Sequence, residues 1–553
     1  MKTHKFLFTT CFLLLPLFLF SQTLDWYKIL GGNHYDRIYD LKSDNNYFYI
    51  TGSTSTTLNW DALSITSSTL DFFIAKYDKN GHVKWIKNCA QDIEISSGRS
   101  IQIDSEGDVI VTGNFSKTIQ FEDSILTSDD DYTDIFIAKF DSSGNFKWAH
   151  QMGGYRTDEA IKVRVDKNDN IYLLGNNYDT LTFDNGHTIN NKTGVFLAKY
   201  APDGTLEWTT NPKNKSSTVG DGLATDSKGY IYVTGMYSDS LFFENDSIYG
   251  NRNVFIACYN PNGDNIWAKD VGNDLGGYFD HGNDIYIDND DNIFITGIMG
   301  GNNIYYGLLN LIIDNLGPES KMFVLSIDTL GNLNFFKRYP TIKSGQSITS
   351  SGTQDLAILS LVQKPLILNN DSIIKDNDYS IISIIDKQGN LKDSVFLGSG
   401  FTDWEGGIVS TNNAYYIASW MSNINSLHTG TNNYFILNSD KYFFNTSTTG
   451  SEAILLMKIT IDDVSNSIKS PIANTNIELY PIPFKDFLTI NAKESSIKEL
   501  HVYDLNGQSV YKNKYMENTM NIILDTKSFK SNLYLVNIID QNNSISVYKV
   551  LKQ

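Results

Sequence analysis

The chain has 553 residues, with 44 Lys and Arg against 63 Asp and Glu and a formal net charge of −19. That length excludes one small domain and fits either about three to four ordinary domains or one large repetitive domain with appendages. Aromatic residues make up 13%, too many for a disordered chain, three Cys are too few for a disulfide scaffold, and the acidic balance excludes the basic surface that nucleic acid requires.

The first segment reads as an address. Lys2 and Lys5 precede an apolar run from Phe6 to Phe20, interrupted by Pro16 and too short for a membrane span of about 20 residues. Leu19 and Ser21 suit a cleavage before Gln22, giving a signal peptide over 1–21. Removing Lys2 and Lys5 leaves 42 basic residues against 63 acidic ones, a net of −21. No later run is long and apolar enough to span a bilayer, so no transmembrane segment is expected in the mature chain. Cys11 leaves with the leader. Cys89 and Cys258 fall in different repeats and read as small buried residues, with a disulfide between them as the alternative.

From about residue 24 the sequence repeats. Phe73-Ile-Ala-Lys-Tyr-Asp-Lys-Asn-Gly81 returns as Phe136-Ile-Ala-Lys-Phe-Asp-Ser-Ser-Gly144, then as 196–204 and 255–263, with weaker copies at 323–331 and 381–389. The glycines are spaced by 63, 60, 59, 68 and 58 residues, and the fourth residue after each is Trp85, Trp148, Trp208, Trp267 and then Phe335. A second element interleaves, in which Asp104, Asp166, Asp226 and Asp288 lie nine residues before Gly113, Gly175, Gly235 and Gly297; Ser43 and Gly52 form its first copy.

Each unit reads as four short strands. Residues 109–112 and 231–234 are apolar on both faces, as doubly buried strands must be, and 73–77 alternates with a period of two. Asp-x-x-Gly, as in 78–81, suits a type I turn. Helical periodicity is absent. Four strands per repeat indicate propeller blades, the extra length being a longer loop between the second and third strands. Seven units follow: 35–90, 95–154, 158–213, 220–272, 281–340, 346–400 and 405–461. The seventh lacks its fourth strand, whereas residues 24–32 resemble an orphan fourth strand in which Trp26 aligns with Trp148. The expected fold is therefore all-β: a seven-bladed β-propeller over 22–463, closed by an N-terminal strand, with Trp26, Trp85, Trp148, Trp208 and Trp267 as a core ladder and Gly52, Gly113, Gly175, Gly235 and Gly297 as structural glycines. These two elements resemble the SBBP-type β-propeller repeat family, which implies the propeller fold and no defined activity.

Residues 464–475 are polar, with one Pro, and read as a linker. Residues 476–553 abandon the repeat and show short strands near 477–480, 487–490, 500–503, 521–524, 533–538 and 546–551, a small antiparallel β-sandwich pattern. The motifs Tyr480-Pro-Ile-Pro-Phe484, Val502-Tyr-Asp-Leu-Asn-Gly507, Leu533-Tyr-Leu-Val536 and Tyr548-Lys-Val-Leu-Lys552 resemble the type A sorting domain of the type IX secretion system. In this resemblance Tyr480, Pro481, Pro483, Phe484, Asp504, Gly507, Tyr534 and Lys549 carry the motif. Ile482 departs from the usual Asn between the prolines, and Asn532 stands where Gly normally precedes the Tyr strand. The resemblance implies the type IX machinery as partner, passage through the outer membrane of a Gram-negative bacterium, removal of the tail, and release or attachment to surface lipopolysaccharide.

No catalytic or metal motif stands out. None of the eight His forms an i, i+4 pair, and neither a Cys-x-x-Cys nor a Gly-x-Ser-x-Gly elbow occurs. The turns at Asp166 and Asp288 begin like calcium loops, but Ile171 and Ile293 replace the required Gly, and Asn177 and Met299 the terminal Glu. They read as hairpin turns, with calcium as the alternative and no cofactor otherwise. Asp-x-x-Gly-x-x-x-Trp is also similar to the Asp box of sialidase-like propellers, itself structural. Lys76, Lys139 and Lys199 recur, but Cys258 and Ser326 replace them in later copies. Three functions fit: a secreted or surface-displayed module binding a glycan, protein or small ligand; a polysaccharide hydrolase or lyase, needing groups such as Arg37, Arg99, Asp158 and His281 to converge; or a structural adhesin.

Overall fold

The computed structural model describes residues 21–552 except 32–34, 90–94, 129–131, 274–279, 312–318, 351–354, 363–365, 374–378, 400–405, 423–432, 445–451, 463–476, 481–484, 504–508, 542–544 and several gaps of one or two positions. The leader, the linker, and Pro481, Pro483, Phe484, Asp504 and Gly507 lie outside the described residues. Contacts divide the chain into two compact units, Gln22–Ile461 and a second containing Asp462–Gln553. The chain is all-β; no helix occurs among the described residues.

In the larger unit the sheets are antiparallel and follow one plan: four strands hydrogen-bonded in chain order. The first holds Arg37–Ser43, Tyr47–Thr54, Asp71–Asp78 and Val83–Asn88. The plan recurs in the sheets whose first strands are Ser96–Ile103, Glu159–Val165, Thr218–Thr225, His281–Ile287 and Ser344–Ser350. One further sheet runs Gly406–Thr411, Ala414–Ser422, Glu452–Asp462 and then Ser21–Gly31, so its fourth strand comes from the start of the chain. At that junction Asp25 pairs with Lys458 at 2.6 Å and accepts the Thr460 hydroxyl at 2.9 Å.

The middle strands are apolar on both faces because both faces are covered. Every residue from Val109 to Phe115 is buried, while the fourth strand, Phe146–Gly153, is mostly half-buried, with Lys147 exposed and Met152 buried. Side chains of neighbouring sheets share the clusters thus formed. One cluster joins Leu30, Ala418, Ile454 and Leu456 of the sheet containing the N-terminal strand to Ile38, Phe48, Ile50 and Phe73 of the first.

Two recurrent crowding contacts explain the repeated glycines. The first strands of the six sheets that begin at Arg37, Ser96, Glu159, Thr218, His281 and Ser344 carry a β-bulge, with register shifts at Ile38/Asp40, Gly98/Ser100, Ala160/Lys162, Gly220/Gly222, Gly282/Asp284 and Gly345/Ser347, whereas Gly406–Thr411 pairs without a shift. Opposite the bulge the backbones close in: a Cβ on Gly52, Gly113, Gly235 or Gly297 would lie about 2 Å from the carbonyl oxygen of Arg37, Ser97, Val219 or His281, and one on Gly175 would meet the Phe196 ring at 2.5 Å. The second contact lies at the turn before the fourth strand. Gly81, with φ of 81°, sits under the Trp26 indole; Gly144 sits under Trp85, Gly204 under Trp148, Gly263 under Trp208 and Gly331 under Trp267. Each turn glycine thus receives the aromatic ring of the preceding fourth strand.

The rings are also hydrogen-bonded to the turns they cover. The indole N–H of Trp26 donates to Lys79 O at 3.1 Å, Trp85 to Ser142 O at 3.2 Å, Trp208 to Pro261 O at 3.1 Å and Trp267 to Thr329 O at 3.2 Å. The recurring lysines reach the same places: Lys76 Nζ donates to Ser142 O at 2.9 Å and Lys139 Nζ to Pro202 O at 3.4 Å. In the copy where Cys258 replaces the lysine, its strand partner Trp267 is buried at 9% exposure.

The connection between second and third strands, expected as a loop, forms hairpins of its own. Thr118–Phe121 pairs with Ser124–Thr127, and Ile231–Phe242 with Ser247–Tyr259 makes one long ribbon. Ile119, Phe121 and Leu126 fold down onto Phe136, which gives these polar segments an apolar anchor. In the C-terminal unit two antiparallel sheets, one holding Ile477–Tyr480, Phe487–Ala492 and Asn521–Asp525 and the other Ser509–Lys514, Ile497–Tyr503, Leu533–Asp540 and Ile545–Leu551, share one apolar cluster around Leu488, Ile490, Leu500, Val502 and Val536. Ser509–Lys514 is not legible in the sequence, because its side chains are mostly exposed and only main-chain pairing with Ile497–Tyr503 defines it.

Removing the N-terminal strand leaves Glu452–Asp462 with an open edge and the Gly81 turn without its ring. Trp26→Ala is expected to cost about 2–4 kcal/mol, and deletion of residues 22–33 to lower the melting temperature further; an unchanged thermal melt of the deletion would contradict this.

Candidate functional site

The two ends of each sheet differ. At one end the turns are uniform and closed by their own aspartates. Asp104 Oδ1 accepts from the backbone of Glu106 and Asp108 at 3.0 and 2.9 Å, Asp166 from Asn168 and Asn170 at 2.8 and 3.0 Å, and Asp288 from Asp290 and Asn292 at 2.9 Å each. The second oxygens are also engaged. Asn170 and the Tyr172 hydroxyl donate to Asp166 Oδ2, and Lys387 lies 2.6 Å from Asp288 Oδ2. Burial alone would raise Asp288, but Lys387, Asn292 and the turn amides hold it below the usual carboxylate range. In both turns considered for calcium, then, the carboxylate is already used by donors of the protein.

The other end carries the variable part. There the first strands begin, the fourth strands end, and the second-to-third connections form hairpins of unlike length and sequence. Large side chains are left in solvent on these segments: Tyr35, Ile95 and Tyr155 just before first strands, Tyr132 just before a third strand, and Ile125, Tyr249, Leu308 and Leu309 in the hairpins, with Tyr155 80% exposed.

Charged residues gather on the first strands. The residue after each bulge is Asp40, Ser100, Lys162, Gly222, Asp284 or Ser347. Asp40 Oδ2 accepts from Ser100 Oγ at 2.8 Å and Ile101 N at 3.1 Å, Ser100 Oγ accepts from Val163 N at 3.2 Å, and Asp284 Oδ2 accepts from Ile348 N at 3.1 Å, tying successive first strands together. Arg164 reaches past Gly222 to Asp284 at 3.8 Å. Lys42 lies 4.0 Å from Asp40. Burial raises Asp40, but Lys42, Lys162, Arg164 and the Ser100 hydroxyl bring it below its ordinary value. Burial pushes Lys42 down to about 8; Arg164 and Lys162 add to that, while Asp40 and Asp284 oppose it.

The four groups named for a hydrolase enter separate contacts. Arg37 stands over the Tyr35 ring, Arg99 over the Tyr39 ring at 4.5 Å, and His281 Nδ1 lies 3.2 Å from Asp221. Asp158 is buried; burial pushes its carboxyl up to about 8, Asp134 and Asp179 add to the rise, and the Tyr178 and Gly154 amides oppose it. Among the described residues no three His, Cys, Asp or Glu side chains are arranged to hold a metal ion. The thiols of Cys89 and Cys258 are free and buried, and burial pushes Cys258 up to about 12.

Of the sorting-motif residues, Tyr534 is buried and its hydroxyl donates to Lys530 O at 2.8 Å. Tyr480 ends the strand Ile477–Tyr480, paired with Thr489, and Lys549 lies in the last strand, paired with Leu535. The layer of residues that follow the bulges escaped sequence reasoning; its only signal is the position two residues after Ile38, Gly98, Ala160, Gly220, Gly282 and Gly345.

Residues 478–553 match the family model of the secretion system C-terminal sorting domain. This tail implies the type IX secretion machinery as partner and marks the protein as secreted or surface-held in a Bacteroidetes-type bacterium. No helix among the described residues is long and apolar enough to cross a membrane. Over 277 residues, 41% of the chain, the sequence is 27% identical to an uncharacterized WD repeat-containing protein of Acanthamoeba polyphaga mimivirus, covering 19% of that protein. Over 24% of the chain it is 28% identical to the regulatory protein FlaEY of Caulobacter vibrioides, covering 14% of it. The chain thus spans less than a fifth of either curated relative. Similar solved structures include a polysaccharide lyase, an ulvan lyase (TM-score 0.37, 10% identity, 76% of this chain and 97% of that one), an exotype rhamnogalacturonan lyase (0.30, 11%, 95% and 91%) and a protein of unknown function from Bacteroides caccae (0.32, 9%, 67% and 93%).

Lys42 supplies a pH test. Its ordinary value is 10.5 and its folded value about 8, so the folded state releases the proton first. Below pH 8 the cost of the buried charge is fully present, and stability rises between about pH 8 and 10.5. Lys42→Met is expected to melt higher than the parent at pH 7 and to lose that rise, as read by thermal melts from pH 7 to 10.5.

Proposed function

We propose that residues 22–461 form a seven-bladed β-propeller of SBBP-type repeats, closed by the strand Ser21–Gly31, which works outside the cell as a binding module. Three observations support the ring. The first strands pack against one another in chain order, and Gly406–Thr411 packs against Arg37–Ser43. Asp40, Lys162, Arg164 and Asp284, from the first, third and fifth units, act on one another electrostatically, as side chains around a common axis would. Trp26 lies on the turn of the first unit just as Trp85 lies on that of the second.

The binding reading rests on one observation: exposed tyrosines and aliphatic side chains concentrate at the sheet ends where the connections vary, whereas the opposite ends are uniform, self-capped turns. Apolar side chains left in solvent in numbers mark interaction surfaces, and Tyr offers a flat apolar face with a hydroxyl at its edge, suited to a glycan or a protein. The protein purified from Gln22 onward and applied to glycan and extracellular-matrix arrays is expected to retain specific ligands. Tyr155→Ala, at a side chain 80% exposed, should weaken that retention about tenfold or more without moving the melting temperature; equal retention by the variant would argue against this face.

The eight sorting-motif residues from Tyr480 to Lys549 are assigned to recognition by the export machinery, supported by the match over 478–553. A fluorescent protein carrying a signal peptide and residues 464–553 is expected to leave a type IX-competent host cell; retention in the periplasm would refute the assignment.

A further inference from the structure

Five charged side chains gather on the first strands of three sheets of the larger unit. Asp40 and Lys42 stand on Arg37–Ser43, Lys162 and Arg164 on Glu159–Val165, and Asp284 on His281–Ile287. The register fixes their direction. Asp40, Lys162 and Asp284 each follow a bulge and occupy one level, and Lys42 and Arg164 lie two residues further along, at the next. The residues beside them, Leu41, Val163 and Ile285, are buried in the apolar clusters that join neighbouring sheets. Strand alternation therefore turns the charged set the other way, toward the other first strands. There they meet across sheets: Arg164 Nη2 lies 3.8 Å from Asp284 Oδ1, and Lys42 feels Asp40, Arg164, Lys162 and Asp284.

The two carboxylates are already engaged by other donors. Asp40 Oδ1 accepts from Leu41 N at 2.9 Å and its Oδ2 from Ser100 Oγ and Ile101 N; Asp284 Oδ1 accepts from Ile285 N at 3.1 Å and its Oδ2 from Ile348 N at 3.1 Å. The three cations are not matched in this way. Lys42 Nζ stands 4.0 Å from Asp40 Oδ1 and Arg164 Nη2 3.8 Å from Asp284 Oδ1, both too long for a hydrogen bond. Arg164 Nη1 donates to Val163 O, beside it in the chain, at 2.9 Å. Among the described residues the half-buried Lys162 Nζ has no acceptor within hydrogen-bond distance. Three cations against two carboxylates leave one positive charge in surplus, in a chain that has 63 acidic residues against 44 basic ones. The side chains of Lys42 and Arg164 retain 25% and 12% exposure, so solvent reaches this surplus.

Holding cations out of bulk water without acceptors is costly, and an oxyanion removes that cost by bringing charge and acceptor oxygens in one group. We propose that Lys42, Lys162 and Arg164 bind a singly charged oxyanion of the carboxylate type, either free or carried by an acidic sugar. A guanidinium offers a planar pair of N–H donors to such a group and an ammonium up to three donors. Asp40 and Asp284 keep the cations spaced and reduce their sum to the single charge that one carboxylate balances. The site rests on the reading of the larger unit as a ring, whose first strands surround one axis, and it is independent of the exposed tyrosines.

The test uses the purified full chain at pH 7, where Lys42 holds its proton. Calorimetry is run with sodium glucuronate and with sodium acetate, and glucose and NaCl at matched ionic strength are the controls. Glucuronate is expected to bind with a dissociation constant of about 1 mM or tighter and to raise the melting temperature, and the controls to do neither. Acetate binding as tightly as glucuronate supports a site for free carboxylates, and weaker acetate binding supports one for carboxylates borne by a sugar. Lys162→Met and Lys42→Met should each weaken glucuronate binding at least about tenfold, and Lys228→Met, on an exposed turn, should leave it unchanged. Lys42→Met is expected to melt higher than the parent, so its loss of binding is not a loss of fold. Tyr155→Ala should keep the parental affinity, which separates this site from the exposed face. Absence of binding by both anions in the parent would overturn the proposal, as would parental affinity in both lysine variants, or glucose binding as tightly as glucuronate. Failure of the ring reading shows separately, as an unchanged melt on deletion of residues 22–33.

Discussion

The larger unit depends on one repeated contact, an aromatic ring lying on the glycine of the next turn. The turn needs a residue at positive φ, which glycine supplies without strain, and the absence of a side chain lets the indole lie flat on the backbone. The indole N–H then donates to a carbonyl of the same turn, so an otherwise solvent-facing loop becomes the seat of the preceding sheet. Sequence spacing between Gly and Trp therefore encodes an inter-sheet distance. Because the contact always runs from one unit to the next, the stability of each unit is borrowed from its neighbour, as in other repeat proteins.

A second constraint acts on the first strands. The bulge presses the second strand's glycine against a carbonyl and turns the following residue outward from its sheet. What stands at that position is unconstrained by the repeat, and the chain uses it in different ways: a carboxylate in Asp40 and Asp284, a hydroxyl in Ser100, a cation in Lys162, nothing in Gly222. The acids and the hydroxyl link adjacent first strands through backbone amides, and the empty position lets Arg164 reach Asp284. The same scaffold thus holds a rigid framework on uniform turns at one end and free variation at the other, the division on which binding proteins with loop-built surfaces rely.

The sequence alone determined that the chain is all-β, that a Gly-and-Trp repeat fills most of it, and that its tail is a sorting domain. Each is written in local pattern: alternation, double-sided apolar runs, Asp-capped turns, and motifs of a few residues. Trp85 above Gly144 is legible because both belong to the repeat. The strand Ser509–Lys514 is not, since no buried side chain marks it. Only the tertiary structure decided which polar residues face one another. Asp40 and Ser100 are 60 positions apart in chain order and belong to different repeats, and nothing in either segment shows that the Ser100 hydroxyl donates to Asp40. Whether a carboxylate finds a donor depends on what the adjacent sheet brings to it, and that is set by packing across repeats, a property that no single repeat contains.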